Sequence, residues 1–305
     1  MTVVSLDFDR AGGHPALAGD LEHAALLRDM PRPWHLAREQ ARVAAALAAG
    51  GIALATDHAL ALIRPLPFDS AHFGLPCADL QRIYLGARAS DEETRAVVDA
   101  VVRRARRSGI TLLSARPLAG QAAVVQRLLH HRFLLVDTSV ELGRLGGLDP
   151  PRPVGVGLRD PEAGDAGALR RIARSFVDNR FHRDPNLPAR KAAALYARWA
   201  DAARLKRHGQ MIVAEVEGQV GGFCTYAPAS TTDGVGLVGL VVIDRPWRGK
   251  GIFAPLVSAA ARAAGGRATV TSTQVTNAAA LRAFAKLGLL PFNARQILHG
   301  WLRPF

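Results

Sequence analysis

Hydrophobic and polar positions repeat along this chain with two periods, and the periods divide it into elements. Apolar residues recur every three to four positions over 33–48, 91–107, 119–131, 165–177 and 191–205, which predicts helices. In 165–177 the stripe is Leu169, Ile172, Ala173 and Phe176. Residues 21–27 carry a similar alanine-rich pattern. Apolar runs predict strands over 52–55, 59–64, 79–85, 111–115, 133–142, 156–158, 211–216, 220–226, 235–243, 269–273 and 296–302. The punctuation agrees with the periods. Ser90 opens the helix over 91–107, Glu217-Gly218-Gln219 turns a hairpin, and Gly265-Gly266 stops a helix over 254–264. Asn277 opens a short helix with Leu281, Phe284 and Leu287 on one face, and Gly288 closes it.

These elements predict an α/β chain with a mixed sheet and two domains. Residues 1–50 read as a helical extension, 51–148 as a first domain and 156–305 as a second. The boundary is a rigid linker over 149–155, inside the run Gly146-Gly147-Leu148-Asp149-Pro150-Pro151-Arg152-Pro153. At 305 residues the chain is longer than one typical domain, and its 49% hydrophobic content suffices for sizeable cores.

Composition narrows the function classes. No uncharged apolar run is long enough to span a membrane. The first ten residues lack a basic-then-apolar leader, so a cytoplasmic location is expected. Cys77 and Cys224 fit no metal or redox spacing, and the ten histidines are scattered, so no metal site is expected. The net charge of +13 comes almost wholly from arginine and suits anionic small ligands. Aromatic content of 6% is too low for a stacking nucleic-acid face.

The chemistry concentrates where the strand over 235–243 runs into Asp244-Arg245-Pro246-Trp247-Arg248-Gly249-Lys250-Gly251-Ile252-Phe253. Two glycines let the backbone approach a ligand, and the next helix starts with unpaired N–H groups. Arg248 and Lys250 add positive charge, which suits a pyrophosphate. The alternative is an ordinary basic turn.

Together, this loop and the Asn277 helix resemble the GNAT acyltransferase superfamily. Arg248, Gly251 and Phe253 stand in its pyrophosphate loop, and Asn277, Ala280, Phe284, Gly288 and Leu289 in its later block. The resemblance covers about 154–302 and implies a GNAT fold there. The strand–helix order of 51–148 is similar to the later half of such a domain, without the glycine loop, and implies a truncated GNAT-like first domain. Three segments are similar to dTDP-fucosamine acetyltransferases: Leu66-Pro67-Phe68-Asp69-Ser70-Ala71-His72-Phe73-Gly74; Asn179-Arg180-Phe181-His182-Arg183-Asp184-Pro185 with Leu195-Tyr196-Ala197-Arg198-Trp199; and Thr273-Gln274-Val275-Thr276-Asn277.

The resemblance implies transfer of acetyl or another short acyl group from acyl-CoA to a primary amine. The acceptor it implies is a nucleotide-linked amino sugar, and it carries a homodimer as a family-level expectation. The rivals are a GNAT acting on an antibiotic, amino acid or protein N-terminus, and a non-catalytic binding protein. The thioester carbonyl is expected against a backbone N–H among Leu240, Val241 and Val242. The amides of Arg248, Gly249, Lys250, Gly251 and Ile252 are expected to hold the pyrophosphate, and Asn277 the pantetheine arm. Arg180, Phe181 and Arg183 are expected to border the acceptor. Phe284 stands where the family has a proton-donating tyrosine, so either Tyr226, Ser272 or water replaces it or the site does something else. His182 and Asp184 are the candidate bases, ahead of His299, with water as the alternative.

Overall fold

The computed structural model describes residues 2–19, 32–148, 155–207, 209–229 and 234–303. The expected helix over 21–27 and most of the expected linker, 149–154, lie outside the described residues. The chain divides into two compact units, Met1–Ser139 with Asn293–Phe305, and Val140–Phe292.

In chain order the first unit holds β1 (Val4–Leu6), α1 (Phe8–Gly12), α2 (Ala16–Gly19), α3 (Arg32–Ala48), β2 (Ile52–Ala55), β3 (Ala59–Pro65), α4 (Pro67–Phe73), β4 (Cys77–Leu85), α5 (Asp91–Arg107), β5 (Leu112–Ala115), α6 (Ala122–His130) and the start of β6 (Leu134–Leu145). The second unit continues with β7 (Val156–Arg159), α7 (Ala166–Arg174), α8 (Arg180–Arg183), α9 (Ala189–Arg204), β8 (Gln210–Val216), β9 (Gln219–Ala227), β10 (Val235–Ile243), α10 (Phe253–Ala264), β11 (Ala268–Gln274), α11 (Ala278–Lys286) and the start of β12 (Leu290–Trp301). The mixed α/β class expected from the alternating periods is what the chain forms. No helix among the described residues is long and apolar enough to cross a membrane.

Strands of the first unit run in the order β1-β2-β3-β4-β5-β12. One face packs on α5, where Val97, Val98, Val101 and Val102 meet Ile63, Leu80, Leu113 and Leu298. Fully burying each such side chain contributes about 1.5–3 kcal/mol. Leu17, Val43, Leu60, Leu62 and Tyr84 form a second core, and the Tyr84 hydroxyl donates to Glu39 at 2.8 Å. Residues 1–50 are therefore more than a helical extension: β1 pairs with β2, and α2 and α3 supply part of this core.

The end of the chain departs from the expected division, which put 156–305 in one domain. Leu298, His299, Gly300 and Trp301 pair antiparallel with Ala115, Ser114, Leu113 and Leu112 of β5. Leu298 and Leu302 join the first unit's core, and Gly300 leaves space for the Phe133 ring. Backbone pairing and apolar burial thus both assign Asn293–Phe305 to the first unit.

In the second unit the order is β7-β8-β9-β10-β11, antiparallel up to β10 and parallel between β10 and β11. Ala214, Val216, Cys224 and Tyr226 lie in the core with Leu256, Val257 and Ala260 of α10. Strand alternation turns Met211, Val213 and Phe223 to the other face, and α7 and α9 contact those strands. The expected helix over 165–177 ends earlier, and four residues that read as loop form α8. The reason is local: Asn179 caps α8 by accepting from the Phe181 and His182 N–H groups.

Candidate active site

The site is built on a strand pair that opens. β10 and β11 pair only through Val235/Ala268, Gly236/Thr269 and Leu237/Val270. Beyond Leu237, β10 bulges against β9, with Val238 opposite Tyr226 but Val241 opposite Cys224. Gly239 sits in the bulge, where a Cβ would lie 2.5 Å from the Thr225 hydroxyl. That hydroxyl accepts the Leu240 N–H at 2.8 Å, and the Asp244 N–H donates to Gly221 O at 2.9 Å. Both amides therefore point to β9. Alternation along the strand turns the Val241 N–H the other way, to the opened side. Of the three expected amides, Leu240 is occupied, Val242 shares its direction, and Val241 faces the opening.

A cleft of about 270 Å³ fills the opening, between Val238 to Val241 of β10 on one wall and Ser272 to Gln274 of β11 on the other. Phe176 and Tyr196 also line it, as do Phe253, Asn277 and Phe284. The Asn277 Oδ1 accepts the Ala280 N–H at 3.1 Å and caps α11, so the helix-start reading of Asn277 holds and the side chain still borders the cleft.

At the end of β10 the chain enters the glycine loop. The carboxylate of Asp244 is buried and takes both arms of the Arg171 guanidinium, at 3.1 and 2.8 Å. Arg171 and the Arg245 N–H hold its pKa below the ordinary carboxylate value against the cost of burial. This pair fixes where the loop begins. Gly249 and Gly251 have φ of +76° and +77°, the left-handed region, and open space lies where each Cβ would project. α10 follows with no side-chain cap and no acidic residue in its first turn, so no side chain caps the Phe253 and Ala254 N–H groups; Pro255, third in the helix, has none. A pyrophosphate fits this backbone cradle. The Arg248 Nε donates to Ile243 O at 3.0 Å, and the Lys250 ammonium lies 4.5 Å from the Trp247 ring centroid. Both side chains are exposed and pinned near the loop.

The two departures from the family pattern touch each other. Phe253 and Phe284 pack edge to face with centroids 5.1 Å apart. Phe284 is buried with Leu256 and Leu287 while still lining the cleft, and it carries no proton to transfer.

Other expected chemical residues lie elsewhere. Tyr226 does not line the cleft; it sits in the core beneath α10 and donates to Gln210 Oε1 at 2.8 Å. Burial and the charge of Asp160 raise its pKa. The Asn179 carbonyl oxygen accepts two backbone N–H groups, which fixes its amide orientation, so its Nδ2 donates to His182 Nδ1 at 2.8 Å. His182 is thereby held as the neutral Nε2–H tautomer, and burial lowers its pKa. Its basic nitrogen is engaged, which removes it as a base in this geometry. Asp184 is buried and caps the turn to α9 by accepting the Asn186 N–H at 2.9 Å.

Phe181 is buried against Tyr196 and Trp199, and the Arg180 guanidinium stacks on its ring at 4.5 Å. Arg183 pairs with Asp178 and donates to the Thr276 hydroxyl at 3.0 Å, beside Asn277. None of the three expected acceptor residues lines the cleft: Phe181 touches the cleft-lining Tyr196, and Arg183 reaches Thr276, next in the chain to Asn277. Phe176, Tyr196 and Thr225 were not expected as site residues. Phe176 belonged to an apolar helical stripe, and Tyr196 to the Tyr-x-x-Trp segment of the family resemblance.

Residues 172–289 match the model of the acetyltransferase (GNAT) family. No curated protein matches the chain in sequence. Among solved structures, the chain is similar to a GCN5-related N-acetyltransferase from Sphaerobacter thermophilus, at 16% identity and TM-score 0.62, covering 99% of this chain and 96% of that one. It is also similar to a tandem GNAT protein from the clavulanic acid biosynthesis pathway, at 13% identity and TM-score 0.58, covering 100% and 99%. A third is a GCN5-related N-acetyltransferase from Kribbella flavida, at 16% identity and TM-score 0.58, covering 89% and 96%. At these identities the likeness shows the fold, which runs through both units. The glycine loop, the opened strands and the Asn277 helix all fall inside the matched residues, and the second unit therefore carries an acetyltransferase domain of the GNAT family.

Proposed function

We propose that this enzyme transfers acetyl or another short acyl group from acyl-CoA to a primary amine on a nucleotide-linked amino-deoxy sugar. One observation carries the acyl-CoA part: an uncapped helix start behind two left-handed glycines adjoins the cleft between opened parallel strands. The amides of Arg248 to Ile252 and the first turn of α10 hold the pyrophosphate. Asn277 takes the pantetheine arm through its amide nitrogen, since its oxygen caps α11. The Val241 N–H stabilises negative charge developing on the thioester oxygen, at no reorganisation cost because the bulge already aims it. Bound acyl-CoA supplies the activated acyl carbon.

The sugar part rests on the three segments similar to dTDP-fucosamine acetyltransferases and on Arg183, held beside Asn277 by Thr276. A guanidinium there suits a diphosphate. The attacking amine must be neutral; no base lines the cleft among the described residues, and water takes its proton.

The test is a thermal-shift titration with acetyl-CoA, with Arg248→Glu alongside. A saturable rise is expected, equivalent to about 2.7 kcal/mol at a hundredfold excess over Kd and smaller in the variant. No shift with acetyl-CoA or longer acyl-CoAs would overturn the reading. Mass spectrometry of a panel of amines then tests the sugar; acylation of only non-sugar amines would remove it.

A further inference from the structure

Of the described residues that line the cleft, Tyr196 has the sole ionisable side chain. It reaches the cleft from α9 and is only 7% exposed. Its ring is wedged between Phe176, with centroids 5.0 Å apart, and Trp199, at 4.9 Å. Such packing holds the ring in one orientation at the cleft.

We propose that Tyr196 is the proton donor to the departing thiolate. The proposal rests on the acyltransferase reading above and resolves its gap. Phe284 cannot donate, Tyr226 is bonded to Gln210 outside the cleft, and His182 and Asp184 are used in the α8 turn. Ser272 and Thr273 line the cleft, but an aliphatic hydroxyl yields its proton far less readily than a phenol. In the step, the amine nitrogen bonds to the acyl carbon. The C–S bond breaks, and its electron pair stays on sulfur. Sulfur takes the phenolic proton, and the surplus proton on nitrogen returns to the phenolate through water. The products are the amide and CoA thiol, and Tyr196 ends as it began.

The deciding experiment uses Tyr196→Phe, which keeps the ring and its packing. Equilibrium binding of CoA and of desulfo-CoA is compared in both proteins. The wild-type protein is expected to bind CoA about three- to tenfold tighter than desulfo-CoA, through one hydrogen bond to sulfur, and the variant to bind both alike. With an accepted amine, kcat is expected to fall about 10²- to 10³-fold with KM for acetyl-CoA nearly unchanged, and the alkaline limb of the kcat profile to disappear. Phe284→Tyr in the variant background is expected to recover part of the loss. Equal preference for CoA in both proteins, or kcat within twofold, overturns the role of Tyr196 alone. Failure of the wild-type protein to bind either ligand overturns the acyltransferase reading and this role with it.

Discussion

Each unit contains a strand, a helix and a parallel strand in succession, β4, α5 and β5 in the first and β10, α10 and β11 in the second. In both, the parallel pairing is short: Cys77 to Leu80 against Leu112 to Ala115, and Val235 to Leu237 against Ala268 to Val270. The helix starts are opposite in chemistry. α5 opens with a capping box in which Ser90 and Glu93 satisfy each other's backbone N–H, and Asp91, Glu92 and Glu93 fill its first turn. The Ser90 N–H lowers the Glu93 pKa, so the charge there is firmly held. α10 opens with neither a cap nor an acid. The cavities differ as well. Where β4 and β5 part beyond Leu80 and Ala115, Gln121 donates to Ile83 O at 2.9 Å and accepts the Leu118 N–H, and only about 10 Å³ remains there, room for one water. Beside β10 the cleft holds about 270 Å³. One topology thus leaves a filled gap and a capped, acidic helix start in one unit, and an open cleft and an uncapped, acid-free helix start in the other.

The largest effect should come from closing the loop. Gly251→Val forces a branched side chain into φ of +77° and into the space a phosphate needs. Acetyl-CoA affinity should fall roughly 100-fold by calorimetry. Retained affinity would mean the cradle is not where the anion sits. Next, Ala254→Glu gives α10 an acidic first turn like that of α5. Binding should weaken about tenfold at low salt and less at high salt, with Ala254→Gln close to wild type. An equal effect of Glu and Gln would make sterics, not charge, the distinction between the helix starts.

A smaller effect is expected from Asp244→Asn, which breaks the Arg171 pair. Arg171 is 61% exposed, so the loss at pH 7 is discounted to about 1 kcal/mol. The folded pKa of Asp244 is depressed, so its contribution is full above the unfolded carboxylate pKa and lost as pH falls through the folded value. Denaturant unfolding at pH 7 and near pH 3 should show the gap between variant and wild type narrowing on acidification. A gap that widened would reverse the sign argued here. Smallest for binding is Ser90→Ala. It should destabilise the chain by about 1 kcal/mol and leave acetyl-CoA affinity unchanged. Acetyl-CoA binding gained at a second site would show that the capping box alone had sealed the first unit.

Much of this was legible in sequence because it is local. Ser90 and Asn277 predicted helix starts, Gly265-Gly266 predicted a helix stop, and apolar runs predicted nearly every strand. Each follows from a few neighbouring residues and the steric limits of the backbone. The reach of the acceptor segment was less legible. Its Arg-Phe element read as a substrate border, but Phe181 became a buried prop, while Tyr196 of the Tyr-x-x-Trp element lined the cleft.

What the sequence determined by itself was the class of the fold, the glycine turn ahead of α10 and the absence of a phenol at Phe284. Only the tertiary structure decided which side chains meet. It put Phe253 against Phe284, thirty-one positions apart in the chain (284 − 253), turned Tyr226 into the core, and locked His182 to Asn179. It also gave the last strand to β5 rather than to the domain that precedes it. A periodic pattern fixes which face of a strand or helix is apolar, but every apolar face is satisfied by any complementary one. The partner is chosen by packing and backbone pairing across the whole chain.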